Sequence, residues 1–213
     1  MAYEAMKERI INCVYTPGAF LNEREIIEEL GISRTPFREA TNALSREGLV
    51  DLVPHKGILV TGITLKDVID LYRIREQLEP FAVRLAMENI PDEVLEEYYI
   101  MFEQFLDPSR FEHEKAVQED EDLHKMILRY ADNRLLTQMM AEIYDHNHRI
   151  RVLSMDKYSV IQLTLQQHFE IIKHMRNKNL SAATDAMLRH IISSKDRALE
   201  AILRRNDNYN IKL

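Results

Sequence analysis

The sequence predicts a mostly α-helical chain in two parts, a winged helix-turn-helix over residues 1–62 and an all-α antiparallel helical bundle over residues 63–213. Three observations carry this. Two helical segments joined by a Gly-Ile step lie between residues 22 and 47. Two β-type runs follow at once. From residue 64 to about residue 205 the apolar residues then recur at helical spacing, broken only by short joints.

The first part reads as follows. Residues 3–14 form an amphipathic helix with Met6, Ile10, Cys13 and Val14 inward, and Tyr15-Thr16-Pro17-Gly18 is a turn. Asn22 can cap the next helix, with Glu25 three positions on completing a capping box. Ile26, Ile27 and Leu30 give that helix its apolar face, and Gly31 ends it where a left-handed residue costs little. Ser33 caps the following helix, and Pro36 in its first turn forfeits an N–H that has no helical partner anyway. Phe37, Ala40, Thr41 and Leu44 point inward, whereas Arg34, Thr35 and Arg38 fall on the opposite side. After Gly48, the runs Leu49–Val53 and Ile58–Thr61 are joined by Pro54-His55-Lys56-Gly57 as a wing. A second helix whose first turn exposes two arginines and a hydroxyl suits the major groove of DNA.

Charge narrows the partner. The formal net charge of −7 argues against a general polyanion binder, and residues 1–62 hold 7 Lys and Arg against 9 Asp and Glu. Basic charge must therefore concentrate on one face, with Arg24, Arg34, Arg38 and Lys56 as the set and base reading left to the arginines and Thr35. The competing role for each arginine is a surface ion pair, as between Arg24 and Glu28. No apolar run reaches the ~20 residues of a membrane helix and no signal-peptide pattern opens the chain, so a cytoplasmic location is expected. Cys13, the single cysteine, excludes an internal disulfide and reads as a small core residue.

In the second part, Thr64 and Asp67 cap a long helix over 65–89 with Val68, Leu71, Tyr72, Leu78, Phe81, Ala82 and Leu85 along its apolar side. Five more helices follow, from Pro91 to about 106, then 111–130, 134–154, 158–177 and 180–205. Long helices with short joints make an antiparallel bundle. Asp120 and His124 share one face a turn apart, while His168 and His190 lie mid-helix among apolar neighbours. Three imidazoles and a carboxylate from three facing helices would make a divalent metal site, although an inward histidine can equally be a hydrogen-bonded core residue. Arg75 and Glu79, four apart, read either as a helix-surface ion pair or with Arg75 facing an effector carboxylate. Arg151 is the other candidate effector-facing cation, and His113 and His174 read as surface residues. A helical metalloenzyme with a DNA-binding tether is the alternative function. It is disfavoured because Glu121-Asp122-Leu123-His124 is the one Glu-x-x-His in the chain, whereas a di-iron bundle needs two.

Pro17-Gly18, Leu21-Asn22-Glu23, Leu30 through Ala40 and Glu47-Gly48-Leu49-Val50 together resemble the N-terminal winged helix of GntR-type bacterial transcription regulators. Tyr72, Arg75, Leu78-Glu79, Ala86, Asp120-x-x-x-His124, Asn133-x-Leu135-Leu136, His168 and His190 resemble the FCD effector domain of that family's FadR-like branch, and six helices match its VanR-like subgroup. Leu123 departs from the pattern, which usually has an aromatic residue there. The resemblance implies DNA contacts from Arg24, Ser33, Arg34, Thr35, Arg38 and the wing tip His55, Lys56 and Gly57. It also implies a divalent transition metal (Zn, Ni or Mn) on Asp120, His124, His168 and His190, with a small organic acid as effector. The expected regulator is a homodimer on a palindromic operator.

Overall fold

The computed structural model describes residues 2–107, 113–154 and 158–209, with the side chains of 113–121, 158 and 205–209 outside the described set. The N-terminal elements are α1 (Ala2–Ile11), β1 (Phe20–Leu21), α2 (Glu23–Leu30), α3 (Arg34–Arg46), β2 (Val50–Val53) and β3 (Gly57–Val60). Their core is Met6, Ile10, Ile26, Phe37, Ala40, Leu44, Leu49, Val50 and Val60. Both central helices present the inward faces expected of them.

Several local expectations change. Helix α1 stops at Ile11 because Cys13 takes a left-handed conformation at φ 55°, so Val14 is swung out and is 67% exposed. Cys13 is half-buried, with Sγ 3.8 Å from the Arg149 carbonyl, and lies at a junction rather than in the core. Strand β1 has no signal in the sequence, since two residues are too few to show a period-2 pattern. It pairs antiparallel with β3, giving the sheet order β1-β3-β2. At the wing tip the Lys56 N–H donates to the Val53 carbonyl at 3.1 Å, with His55 at φ 61° and Gly57 at φ 104°. Asn22 caps α2 by accepting from the Arg24 N–H at 3.0 Å and donating to the Glu25 carboxylate at 2.9 Å, a variant of the expected box. Gly31 closes α2 in the left-handed region, as read. Ser33 sits at the cap position of α3 without a side-chain capping bond.

Helices α4 (Leu65–Asn89), α5 (Asp92–Phe105), α6 (His113–Tyr130), α7 (Arg134–Ser154), α8 (Tyr158–Arg176) and α9 (Leu180–Tyr209) complete the described fold. Thr64 and Asp67 form the reciprocal capping box that starts α4. The helix runs on through Pro80, which removes one i to i−4 hydrogen bond, and burial of its inner face offsets that loss. That face is Val68, Tyr72, Arg75, Glu79, Ala82, Val83 and Ala86. Phe81, expected inward, is exposed because the buried stripe runs through positions 75, 79, 82 and 86 instead. No described helix is long and apolar enough to cross a membrane.

The two parts have separate hydrophobic clusters and meet along α7. Lys7 bridges Glu47 at 2.9 Å and Asp145 at 2.6 Å. The His146 ring donates to the Glu47 carbonyl at 2.9 Å, and His148 Nε2 lies 2.9 Å from Asn12 Oδ1. Arg149, 1% exposed, bonds the Thr61 hydroxyl at 3.0 Å and the Thr61 carbonyl. Burial pushes its guanidinium below the ordinary value, against the opposing pull of Cys13 and Asp67.

Leu44 is fully buried in the N-terminal cluster. Leu44→Ala should destabilise the winged helix by about 2–5 kcal/mol in chemical denaturation. An unchanged unfolding midpoint would contradict this packing.

Candidate functional site

Ser33, Arg34, Thr35 and Arg38 are all exposed at the start of α3, as its alternation requires once Phe37 and Ala40 are committed to the core. Arg24, His55, Lys56 and Gly57 are exposed as well. Arg24 does pair with Glu28 at 3.0 Å, and Arg34 Nε lies 3.9 Å from Glu23. Both contacts are solvent-exposed and of the kind worth little in water, so a phosphate can replace the carboxylate. A groove between α3 and the wing is lined by Arg38, Thr41, Asn42, Leu52, Pro54 and Gly57. It runs between the N-terminal half of α3 and the two strands of the hairpin.

In the bundle, α6, α8 and α9 bring His124, His168 and His190 together. All three are buried, and one ring nitrogen from each lies within 4.8 Å of the others. Ring centroids are 5.2 Å apart from His124 to each partner and 4.5 Å from His168 to His190. Phe102 on α5 presses edge-on against His168 at 5.6 Å. Asp120 lies one turn before His124 on α6, with its side chain outside the described residues.

The hydrogen bonds orient the rings. Glu79 Oε2 sits 2.5 Å from His124 Nδ1, which turns the Nε2 of His124 toward the other two histidines. Gln167 Oε1 holds His190 Nδ1 at 3.2 Å, and the Nε2 atoms of His168 and His190 then face each other at 3.3 Å. Two nitrogens bound to one ion at about 2.1 Å stand roughly 3.0–3.4 Å apart, depending on the bond angle, so this spacing fits a shared metal. Burial, then the His168 and His124 neighbours, push the His190 imidazole well below its ordinary value. Its neutral form is the one that ligates.

Arg75 and Glu79 are not the surface pair that their i, i+4 spacing allowed. Both are buried at 2% exposure or less, and Arg75 Nε donates to Glu79 Oε1 at 2.5 Å. Burial alone would push the Glu79 carboxyl up, but the Arg75 guanidinium and then His124 overcome it and hold it at about 2. Glu79 is thus an ionised carboxylate behind a candidate ligand histidine, the arrangement that fixes tautomer and orientation in metal sites. Helix spacing alone could not find it, because the signal is the bond to a residue 45 positions away.

A small cavity of about 40 Å³, partly open to solvent, adjoins the triad. His124 and His190 form part of its wall, and Arg75 and Arg151 also line it. Arg197, Tyr72, Tyr144 and Asn147 were not anticipated. Neither were the hydroxyls of Ser154, Thr164 and Ser194, since none stands out in an amphipathic pattern. Arg75 NH1 donates to Asn147 Oδ1 at 2.5 Å, and Arg197 is held by the Ser193 and Ser194 hydroxyls at 2.5 and 2.8 Å. His174, on the far end of α8, pairs with Glu170 at 3.6 Å, away from the cavity wall. His113 lies outside the residues whose side chains are described.

Glu79→Gln keeps the size of the side chain but removes the charge behind His124. It should weaken zinc binding about 10–100-fold in a competition titration with a chromogenic chelator. Unaltered affinity would show that Glu79 serves Arg75 alone.

Known proteins fit both halves. Residues 1–60 match the model for "Bacterial regulatory proteins, gntR family" and residues 70–193 match the FCD domain. The chain is 31% identical to the HTH-type transcriptional regulator YdhC of Bacillus subtilis (strain 168) over 198 residues, covering 88% of this chain and 85% of YdhC. It is 27% identical to the HTH-type transcriptional repressor RspR of Escherichia coli (strain K12), covering 89% and 83%. In fold it is similar to E. coli McbR/YncC, with a TM-score of 0.75 at 18% identity over 90% of this chain and 92% of that one. An exposed arginine face on a winged helix, joined to an FCD bundle, is the machinery of transcription control rather than of an enzyme, and the chain belongs to the GntR family of bacterial regulatory proteins.

Proposed function

We propose that this regulator binds a palindromic operator as a homodimer and releases or tightens its hold when a small organic acid enters the metal-associated cavity of its FCD domain. The observation that carries the reading is the buried histidine triad opening on a cavity that Arg75, Arg151 and Arg197 also line. The proposed boundary between the two domains is at residues 62 and 63, and Arg24, Ser33, Arg34, Thr35, Arg38, His55, Lys56 and Gly57 form the proposed DNA face. Arginine at the first turn of α3 suits bidentate contact with guanine, while Lys56 at the wing tip suits a phosphate.

Asp120, His124, His168 and His190 are the proposed metal ligands, and Zn, Ni and Mn are all compatible with nitrogen and oxygen donors. When bound, the ion supplies a Lewis-acidic position for a carboxylate. The chain's own part is to orient the imidazoles of His124 and His190 through Glu79 and Gln167, and to offer Arg75 and Arg151 to the acid's charge.

Helix α7 is the proposed route between the two domains. Its Tyr144, Asn147, His148 and Arg151 line the cavity, while its Asp145, His146, His148 and Arg149 bond the winged helix. His148 does both, with Arg151 3.1 Å from its other ring nitrogen. A ligand changes operator affinity only as far as it prefers one placement of α7, typically by about 1–3 kcal/mol.

Arg34→Ala or Arg38→Ala should each cost about 1–3 kcal/mol on operator DNA and far less on random duplex, read by fluorescence anisotropy. Equal losses on the two DNAs would make these arginines phosphate clamps. Arg149→Met, which cannot bond Thr61, should leave operator affinity in place while shrinking the change in that affinity caused by the acid. A full-sized effector response in this variant would take Arg149 out of the route.

A further inference from the structure

Helix α3 carries more on its outer side than the two arginines that face DNA. Arg34, Arg38 and Asn42 follow one another at steps of four, so they form one row along its exposed side. Asn42 is exposed, and its amide bonds no other described residue. It stands on the wall of the channel between α3 and the hairpin, a hollow of about 420 Å³ open to solvent. The two sides of that channel differ. Arg38 and Asn42 put hydrogen-bond donors on the α3 side, while Leu52, Pro54 and Ile58 make the hairpin side apolar. Leu52 is 45% exposed, an apolar side chain that the winged-helix core leaves uncovered.

We propose that this channel seats one sugar-phosphate strand of the operator, with the Asn42 amide donating to a phosphate oxygen and Leu52 lying against deoxyribose. The proposal rests on the DNA face described above and adds a contact to it. The major groove is about 12 Å wide, and a helix lying in it has a backbone strand on either side. The hairpin stands beside α3, so the nearer strand must pass between the two. That strand presents anionic oxygens at each phosphate and carbon at each sugar, the same division that the channel walls show. A contact of this kind fixes register and orientation on the duplex and carries no sequence information.

Charge places the phosphate within the channel. Glu23 also lines it, with its carboxylate 3.9 Å from Arg34 Nε near the first turn of α3. A phosphate beside that carboxylate would be repelled. Asn42 lies about 12 Å further along the helix from Arg34, at about 1.5 Å per residue. The phosphate is therefore held at the Asn42 end, where the exposed Arg38 and Arg46, one turn to either side, add positive charge. Because the amide is neutral, its hydrogen bond strengthens binding without releasing a further counterion.

Fluorescence anisotropy on the full chain tests this, with a duplex selected from a randomised pool as operator and a random-sequence duplex beside it. Asn42→Ala should weaken binding to both by about tenfold, with unchanged helical circular dichroism and an unchanged slope of affinity against salt. Asn42→Arg should steepen that slope by about 1 per half-site. A single uncharged methylphosphonate is then walked along each half-site. At one position it should weaken the parent while costing Asn42→Ala markedly less. A loss confined to the operator would make Asn42 a base reader and overturn the proposal. Unaltered affinity in Asn42→Ala, or losses that add in full at every methylphosphonate position, would overturn it too. If Arg34→Ala and Arg38→Ala weaken operator binding while Asn42→Ala does not, the channel falls and the DNA face stands. If all three bind as the parent does, the DNA face itself falls.

Discussion

Everything in the C-terminal part depends on one buried carboxylate. Glu79 accepts from Arg75 with one oxygen and holds His124 with the other, each at 2.5 Å. A buried charge is costly unless paired and hydrogen-bonded. Here the pairing joins α4 to α6, and Arg75 extends it to Asn147 on α7. Three helices are therefore registered by one polar network under the triad. The bundle holds His124 in place with the same bonds that satisfy its buried charge. A fully connected network of this kind specifies one arrangement of the helices, because every alternative leaves a charge unpaired.

Helix α7 gives the arrangement a consequence at a distance. Its buried Arg149 reaches the chain just past β3, at Thr61, and His146 and Asp145 reach the end of α3 and α1 through Glu47 and Lys7. The cavity side of the same helix carries Asn147 and Arg151. Side chains a residue or two apart on a helix point in different directions, so one rigid element can touch both a ligand pocket and a neighbouring domain. Arg149 is the expensive member of this set, a buried guanidinium that donates to the neutral hydroxyl and carbonyl of Thr61.

Much of this was legible in the sequence because it follows from short-range rules. Gly31, Thr64 with Asp67, and the spacing of Phe37, Ala40, Thr41 and Leu44 fix helix ends and faces locally, and the structure agrees with them. His124, His168 and His190 could be grouped because their positions on three amphipathic helices share an inward side. Residues whose role depends on contacts far along the chain were hidden. Glu79 looked like half of an i, i+4 pair, and its bond to His124 has no sequence signature. Arg197, Ser194 and Thr164 become cavity residues only through the packing of α8 on α9. Phe81 reads as inward from its apolar character alone, yet the buried stripe of α4 passes through positions 75, 79, 82 and 86 and leaves it exposed.

The central claim is that a metal on the triad links acid binding to operator affinity. Native mass spectrometry of the purified parent and of His168→Ala, paired with operator titrations on the same samples, tests it most directly. The account predicts one divalent ion per chain in the parent and a small organic acid bound with it. In His168→Ala both should be lost, with DNA binding kept and the effector response gone. A parent that takes up no zinc, nickel or manganese when these are supplied, or a metal-free protein that still responds in full to the acid, would contradict it.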